Sequence, residues 1–312
     1  MRTRVAVIGG GQSCEHDVSL ASAASVATGL APSRYDVVPL TIGLDGTWCD
    51  HAQRALTLAG ATEVLLACDV VFPVVHGPKG EDGTLAALCE LAGLPYVGSG
   101  VGAGAVAMDK WATKLVAEAV GIPTAPGRLV TAATAQRQVW THPVVVKPVA
   151  AGSSKGVSLV RAPGGLRPAL DDALALDDRA LVEDVVAGRE IDVAVLRRAD
   201  GTVVASPPLE IVVEGLFDFA AKYGGHADFR VPAELPDVDA KALAEAAVAT
   251  YDALGCAGVA RVDFFLTADG PVLNEVNTVP GMTEHSQVPR MFAAGGLSYP
   301  DLLDELVRGA HR

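Results

Sequence analysis

Short apolar runs punctuated by glycine and proline alternate with small-residue helical stretches, and that alternation predicts the elements of the chain. Residues 4–8 read as a buried strand, Gly9, Gly10 and Gly11 as a tight turn, and residues 17–30 as a small-residue helix. Strand signals recur at 37–42 and 70–75, and a helical segment at 84–94 leads into Pro95 and Gly98. This is the alternation of an open parallel sheet. Beyond Met108 a helix at 110–120 is followed by strands at 128–131, 144–147, 157–161, 180–183 and 191–196, with a glycine- and serine-rich interruption at 152–156. Residues 216–231 are polar, contain glycine and lack a clear period, the signature of a long functional loop. An Ala-rich helix at 240–254 and a closing helix at 297–308 complete the chain, which carries no repeats and no low-complexity tail.

Charges stand on two of the apolar strands, where a core would refuse them. In residues 260–266 Arg261 and Asp263 lie two apart, and in residues 271–278 so do Glu275 and Asn277. Side chains two apart share a face. Val262, Phe264, Leu273 and Val276 supply the apolar opposite face. Two carboxylates and an amide carbonyl brought together by a hairpin make an all-oxygen site suited to Mg2+ beside substrate phosphates. The adjacent arginine can stabilise developing negative charge. A surface hairpin with an Arg–Asp pair is the plainer alternative.

Composition narrows the partners. With 24 basic against 37 acidic residues the net charge is -13, which argues against nucleic acid or an anionic membrane as a partner. The 312 residues, 50% of them hydrophobic, suffice for two or three cored domains. Five cysteines, at 14, 49, 68, 89 and 256, form no CxxC pair, as expected of reduced thiols in a cytoplasmic protein. The N-terminus runs directly into a strand rather than a signal peptide, and no apolar stretch approaches about 18 residues.

Further candidates for chemistry flank the glycine-rich segments. The turn from Gly9 to Cys14 is a weak dinucleotide fingerprint, because Cys14 replaces its third glycine and no acidic residue ends the second strand. Glu15 follows at a helix N-terminus, either as a cap or as the acceptor of a substrate ammonium group. Lys147 ends a strand before Gly152-Ser153-Ser154-Lys155-Gly156, a segment fit to cover phosphates without the spacing of a P-loop. Lys110 is a second phosphate ligand or a solvated lysine; Glu183 and Glu190 hold adenosine hydroxyls or face water.

With these residues gathered, the chain resembles the D-alanine–D-alanine ligase family of the ATP-grasp fold over nearly its whole length. The family pattern G-G-x-S-x-E-H-x-V-S is met at residues 10–19, H-G-x-x-G-E-D-G at 76–83 and M-D-K at 108–110. V-K-P with G-S-S is met at 146–154, K-Y at Lys222-Tyr223, R-x-D at 261–263, and N-E-x-N-T-x-P-G-M-T-x-H-S at 274–286. The resemblance implies an α/β protein: an N-terminal open parallel α/β domain for substrate (1–107), then two α+β units that sandwich ATP. These are a central ATP-grasp subdomain (108–187) and a C-terminal catalytic domain (188–312) with a lid loop at 216–231.

By that resemblance two D-alanines are joined, through an acyl phosphate, for peptidoglycan synthesis. Lys110, Lys147 and Ser154 would bind ATP phosphates, Glu183 with Val185 and Val186 the adenine, and Glu190 the ribose. Asp263, Glu275 and Asn277 would hold two Mg2+ ions, or Mn2+. Glu15, Ser153 and Tyr223 would orient the first D-alanine and the lid, with His76 and Lys222 as further substrate ligands. Arg261 and the Gly281 N–H would stabilise the tetrahedral intermediate, and Ser286 would bind the second substrate's carboxylate. The partners implied are small molecules, ATP and D-amino acids, in a cytoplasmic homodimer.

Three positions depart from the pattern: Lys155 stands where an apolar residue is usual, the lid is about one residue short, and Gln287 replaces a leucine. They open a related ligase as the alternative, with D-serine, D-lactate or a natural-product amine as second substrate. For Gln287 the options are a backbone N–H on the substrate with the side chain in solvent, or an amide lining the second pocket.

Overall fold

The computed structural model describes residues 2–212 and 228–310, built on three sheets. The first has β1 (Thr3–Gly10) at its centre, flanked in parallel by β2 (Tyr35–Ile42) and β5 (Val70–Pro73). Nearly all of β1 is buried, which explains its unbroken apolar run: both faces of a central parallel strand are covered. Two short antiparallel strands, β3 (Trp48–Cys49) and β4 (Ala55–Leu56), extend the edge beyond β2. The sequence pattern missed them because two residues hold no period.

The second sheet is antiparallel, made of β6 (Gly127–Thr131), β7 (Val144–Pro148), β8 (Ser158–Val160) and β9 (Arg179–Asp184) in the order β6-β9-β7-β8. Helix Leu166–Leu174 covers one face and buries Leu166 and Leu170 against Val144, Val146 and Val182. The third sheet joins β10 (Arg189–Arg197), β11 (Val203–Ala205), β12 (Leu209–Val212), β13 (Asp228–Arg230), β14 (Val259–Thr267) and β15 (Gly270–Asn277), all antiparallel. Part of the expected loop at 216–231 is therefore strand, at Asp228–Arg230. Residues 216–227, with Lys222 and Tyr223, lie outside the described residues.

One hydrophobic core runs across the first and third sheets, while the second sheet has its own. Val5, Val7 and Phe72 of the first sheet pack in one cluster with Ala194 and Leu196 of the third and with Leu302 and Leu303 of the closing helix Tyr299–Arg308. A second cluster sets helix Asp237–Ala253 and Ala117 of helix Lys110–Ala119 against Val262, Phe264, Leu273 and Val276. The shared core locks the first and third sheets together, because interiors are close-packed and resist sliding. Helix Val101–Met108 also escaped the sequence pattern, being glycine-rich and without a polar face. Its Gly104 lets it approach the 76–83 loop, where an added Cβ would stand 2.8 Å from the Glu81 carbonyl oxygen. No helix among the described residues is long and apolar enough to cross a membrane.

Candidate active site

The β14–β15 hairpin carries the charged centre. Its register sets Asp263 opposite Glu275 and Arg261 opposite Asn277. Strict alternation would place Leu273 on the face of Glu275 and Asn277. An irregularity after Asp263 pairs Phe264 with Leu273, leaving Asn274 as the extra residue and reversing the parity, as a β-bulge does. Leu273 thereby joins the core with Val262, Phe264 and Val276, while Asn274 and Glu275 both line a cavity.

Arg261 donates from Nε and Nη2 to the two oxygens of Asp263, 2.7 Å each, a bidentate pair. Its Nη1 donates to Gln287 Oε1 at 2.8 Å, and its Nε lies 3.3 Å from Asp192 Oδ2. Burial opposes the guanidinium charge, but the Asp263 and Asp192 carboxylates outweigh it and hold its pKa well above the ordinary value. Glu275 Oε2 lies 3.3 Å from Lys110 Nζ, and Asn277 Nδ2 donates to Asp263 Oδ2 at 3.1 Å. Asp263, Glu275 and the Asn277 amide share one face, a donor set that fits a hard cation such as Mg2+. Among the described residues no three His, Cys, Asp or Glu side chains cluster into a protein cage. Oxygens of a bound phosphate would have to complete the shell, as is common for Mg2+.

Two cavities meet at this hairpin. The larger, about 360 Å³, lies between the second and third sheets and receives Lys110, Lys147, Ser154, Glu183, Val185, Val186 and Glu190, every residue assigned to the nucleotide. Lys147 reaches Glu183 Oε2 at 2.7 Å and donates to Asn274 Oδ1 at 3.2 Å. Lys114, absent from the sequence-based set, lies 2.6 Å from Glu183 Oε1 and donates to the Ala125 carbonyl. Burial would raise the Glu183 pKa, yet the two lysines hold its carboxyl below the usual range. Both Glu183 oxygens are held by lysines, so Glu183 also orients Lys147 at the cavity wall.

The smaller cavity, about 220 Å³, gathers Glu15, His76, Ser153, Gly281, Ser286 and Gln287. Ser153 and Ser154 take φ of 51° and 54°, the left-handed region that non-glycine residues rarely adopt. Consecutive positive φ values turn the chain between the cavities, so Ser153 lines the smaller and Ser154 the larger. Ser153 Oγ donates to Glu15 Oε1. Glu15 thus acts through its carboxylate and caps nothing with it, since its helix start shows no side-chain cap bond. His76 is buried, with Nδ1 donating to the Val279 carbonyl at 2.7 Å and Nε2 3.3 Å from Ser22 Oγ; burial lowers its pKa. Both ring nitrogens have partners in the wall, so His76 is fixed in orientation at the cavity. Glu81, also at the rim, has its pKa pushed up to about 8 by burial and by the Glu15 charge, against a 2.9 Å hydrogen bond from the Gly77 N–H. Ser286 Oγ accepts from the Thr283 N–H at 3.1 Å, which orients it beside Gly281.

Gln287 lines the smaller cavity, but its amide is engaged by the protein. Its Oε1 accepts from Arg261 and its Nε2 donates to Asp192 Oδ2 at 2.9 Å, so both ends of the amide are bound within the protein. Asp192 and Lys114 escaped the sequence reading because each stands inside an apolar strand or a helix without a motif partner nearby. A lone charge at an otherwise buried strand position, as at Asp192, is the signal that could have found it. The glycine turn after β1 serves packing: Gly10, at φ 89°, would place a Cβ 2.2 Å from the Ile42 carbonyl oxygen.

Known proteins are similar to this chain in sequence and fold. The family described as D-ala D-ala ligase N-terminus matches residues 4–99, and D-ala D-ala ligase C-terminus matches residues 116–308. A D-alanine–D-alanine ligase of Mycolicibacterium smegmatis is 44% identical over 354 aligned positions, covering 98% of this chain and 95% of that protein. The VanG D-Ala:D-Ser ligase of Enterococcus faecalis superposes with a TM-score of 0.86 at 32% identity, over 98% of this chain and 99% of that one. The D-alanine–D-alanine ligase of Bacillus anthracis complexed with ATP superposes with a TM-score of 0.80 at 27% identity, over 98% and 97%.

Proposed function

The chain belongs to the D-alanine–D-alanine ligase family, and on that premise we propose how its residues divide the work. The enzyme joins two D-alanines at the expense of ATP, through an acyl phosphate, releasing ADP and phosphate and supplying peptidoglycan synthesis. One observation carries the residue assignments: Arg261 and Glu275 line both cavities, so a nucleotide in one and amino acids in the other would meet at that hairpin.

A carboxylate is a poor acyl donor until phosphorylated. Lys147 and Lys110 hold the phosphates where the γ-phosphoryl faces the smaller cavity, and Ser154 covers them from the 152–156 turn. Val185 and Val186 face the base in the strand connection that they occupy, and Glu190 the ribose. Asp263, Glu275 and Asn277 would hold two Mg2+ ions, or Mn2+, which when bound neutralise phosphate charge. Glu15, fixed by Ser153, receives the ammonium group of the first D-alanine. The amine of the second D-alanine, its carboxylate held by Ser286, attacks the acyl phosphate. Arg261 and the Gly281 N–H stabilise the oxyanion as phosphate leaves. Because it consumes ATP we place the enzyme in the cytoplasm, as a homodimer that sedimentation analysis would reveal.

Phosphate release with D-alanine alone, then with D-serine, D-lactate or L-amino acids added, tests the reading when products are identified by mass. D-alanyl-D-alanine as the main product is expected. No phosphate release with D-alanine would overturn it.

A further inference from the structure

Arg261, Gln287 and Asp192 close a ring of side chains from three separate elements. Arg261 lies on β14, Asp192 on β10, and Gln287 opens helix Gln287–Ala294. Arg261 Nη1 donates to Gln287 Oε1 at 2.8 Å, Gln287 Nε2 donates to Asp192 Oδ2 at 2.9 Å, and the same Oδ2 lies 3.3 Å from Arg261 Nε. Asp192 is only 2% exposed and stands in register with Asp263 on the neighbouring strand. The guanidinium is therefore shared between two buried carboxylates.

Only one of those carboxylates belongs to the proposed cation site. Arg261 occupies both oxygens of Asp263, so a cation seated on Asp263 competes with the arginine for them. Asp192 and Gln287 remain as anchors outside the proposed ligand set of Asp263, Glu275 and Asn277, although Asp192 also lines the larger cavity. An amide suits the bridge, since one end accepts from the arginine and the other donates to the aspartate. A guanidinium held in this way keeps its orientation toward the reacting carbonyl, and orientation sets the value of a preorganised charge.

We propose that Asp192 and Gln287 are positioning residues that hold Arg261 in its catalytic orientation once Asp263 is engaged by a cation. The proposal rests on the ligase reading above. It assigns Gln287 to the arginine rather than to recognition of the second substrate.

Exchanging the charge tests it. Gln287→Glu sets two carboxylates against each other, and Asp192→Asn removes the counter-charge; the double variant restores one donor and one carboxylate with the positions swapped. Ligation of D-alanine is measured per ATP-binding site, counted by nucleotide titration, so that loss of folded protein does not mimic loss of rate. Each single variant should lower kcat roughly tenfold or more while the ATP KM stays within about twofold. The double variant should recover roughly fivefold or more over the slower single. Gln287→Leu, which keeps the bulk and removes both bonds, should lower kcat in the same way if Asp192→Asn folds poorly. A double variant no faster than the slower single, or effects confined to the ATP KM, would overturn the positioning role. An inactive parent would instead overturn the ligase reading, and the positioning role with it.

Discussion

The Ser153 hydroxyl donates to the Glu15 carboxylate at 2.5 Å across 138 residues of chain, tying the turn after β7 to the first helix of the N-terminal sheet. The contact depends on Gly152, where an added Cβ would stand 2.5 Å from Glu15 Oε2. Gly152→Ala should push the carboxylate off Ser153, and Ser153→Ala should remove its donor. Both are expected to raise the KM for the first D-alanine by roughly tenfold to a hundredfold, consistent with one lost charged hydrogen bond of about 1.5–3 kcal/mol, and to leave the ATP KM unchanged. Separate titrations of the two substrates check this, and an unchanged D-alanine KM in both variants would remove Glu15 from the site.

Glu275→Gln should abolish ATP turnover in a folded protein. The substitution keeps the volume and removes one of two carboxylates from the proposed cation site, while Lys110 loses its partner at 3.3 Å. Phosphate release at increasing Mg2+ is the measurement. Near-normal rates at saturating metal would show that the ion is held elsewhere.

Lys114→Met should cost stability as well as nucleotide affinity. Lys114 is 4% exposed and shares Glu183 with Lys147, so its removal leaves a buried carboxylate with one cation and strips the Ala125 carbonyl of its donor. Breaking a buried pair costs roughly 3–5 kcal/mol, and the lower end is expected because Lys147 remains. Chemical denaturation should show the loss. Calorimetry should show weaker ATP binding, since Lys147 is then drawn to Glu183 alone; unchanged values in both assays would reduce Lys114 to a bystander.

Glu81 predicts a pH dependence of stability in the ligand-free protein. Its pKa stands near 8 in the folded chain, against an ordinary value of 4.5, chiefly through burial and then through the Glu15 charge. A raised carboxyl pKa means that the folded state holds a proton which the unfolded state has released. Its contribution is complete below about pH 4.5 and is lost as pH rises through about 8. Unfolding free energy should therefore fall between pH 6 and pH 8, by at most about 1.4 kcal/mol per pH unit from this group, and less because Glu81 retains some exposure. Glu81→Gln should flatten that slope. Parallel curves for parent and variant would mean that Glu81 titrates normally.

Long strands and their charged interruptions were legible in the sequence because period two and charge in an apolar run are local signals. The strands carrying Arg261, Asp263, Glu275 and Asn277, and the grouping of Lys147 at the end of β7 with Ser153 and Ser154 beyond it, could be read before any fold was known. Strands of two residues, such as Trp48–Cys49, and the glycine-rich helix Val101–Met108 could not, since neither carries enough pattern to outvote its surroundings.

The chain by itself determined which residue types stand at the site, because motifs and alternation are properties of neighbouring positions. Tertiary structure decided which of them touch. The bulge at Asn274 sent Leu273 to the core and two consecutive polar residues to the cavity. Pairing of β10 with β14 brought Asp192 beside Asp263, and packing of helix Gln287–Ala294 closed the ring through Gln287 onto Arg261. Strand register and helix docking are set by the free energy of whole shared cores, to which each position adds a small part, so contacts between distant residues are not written at either position alone.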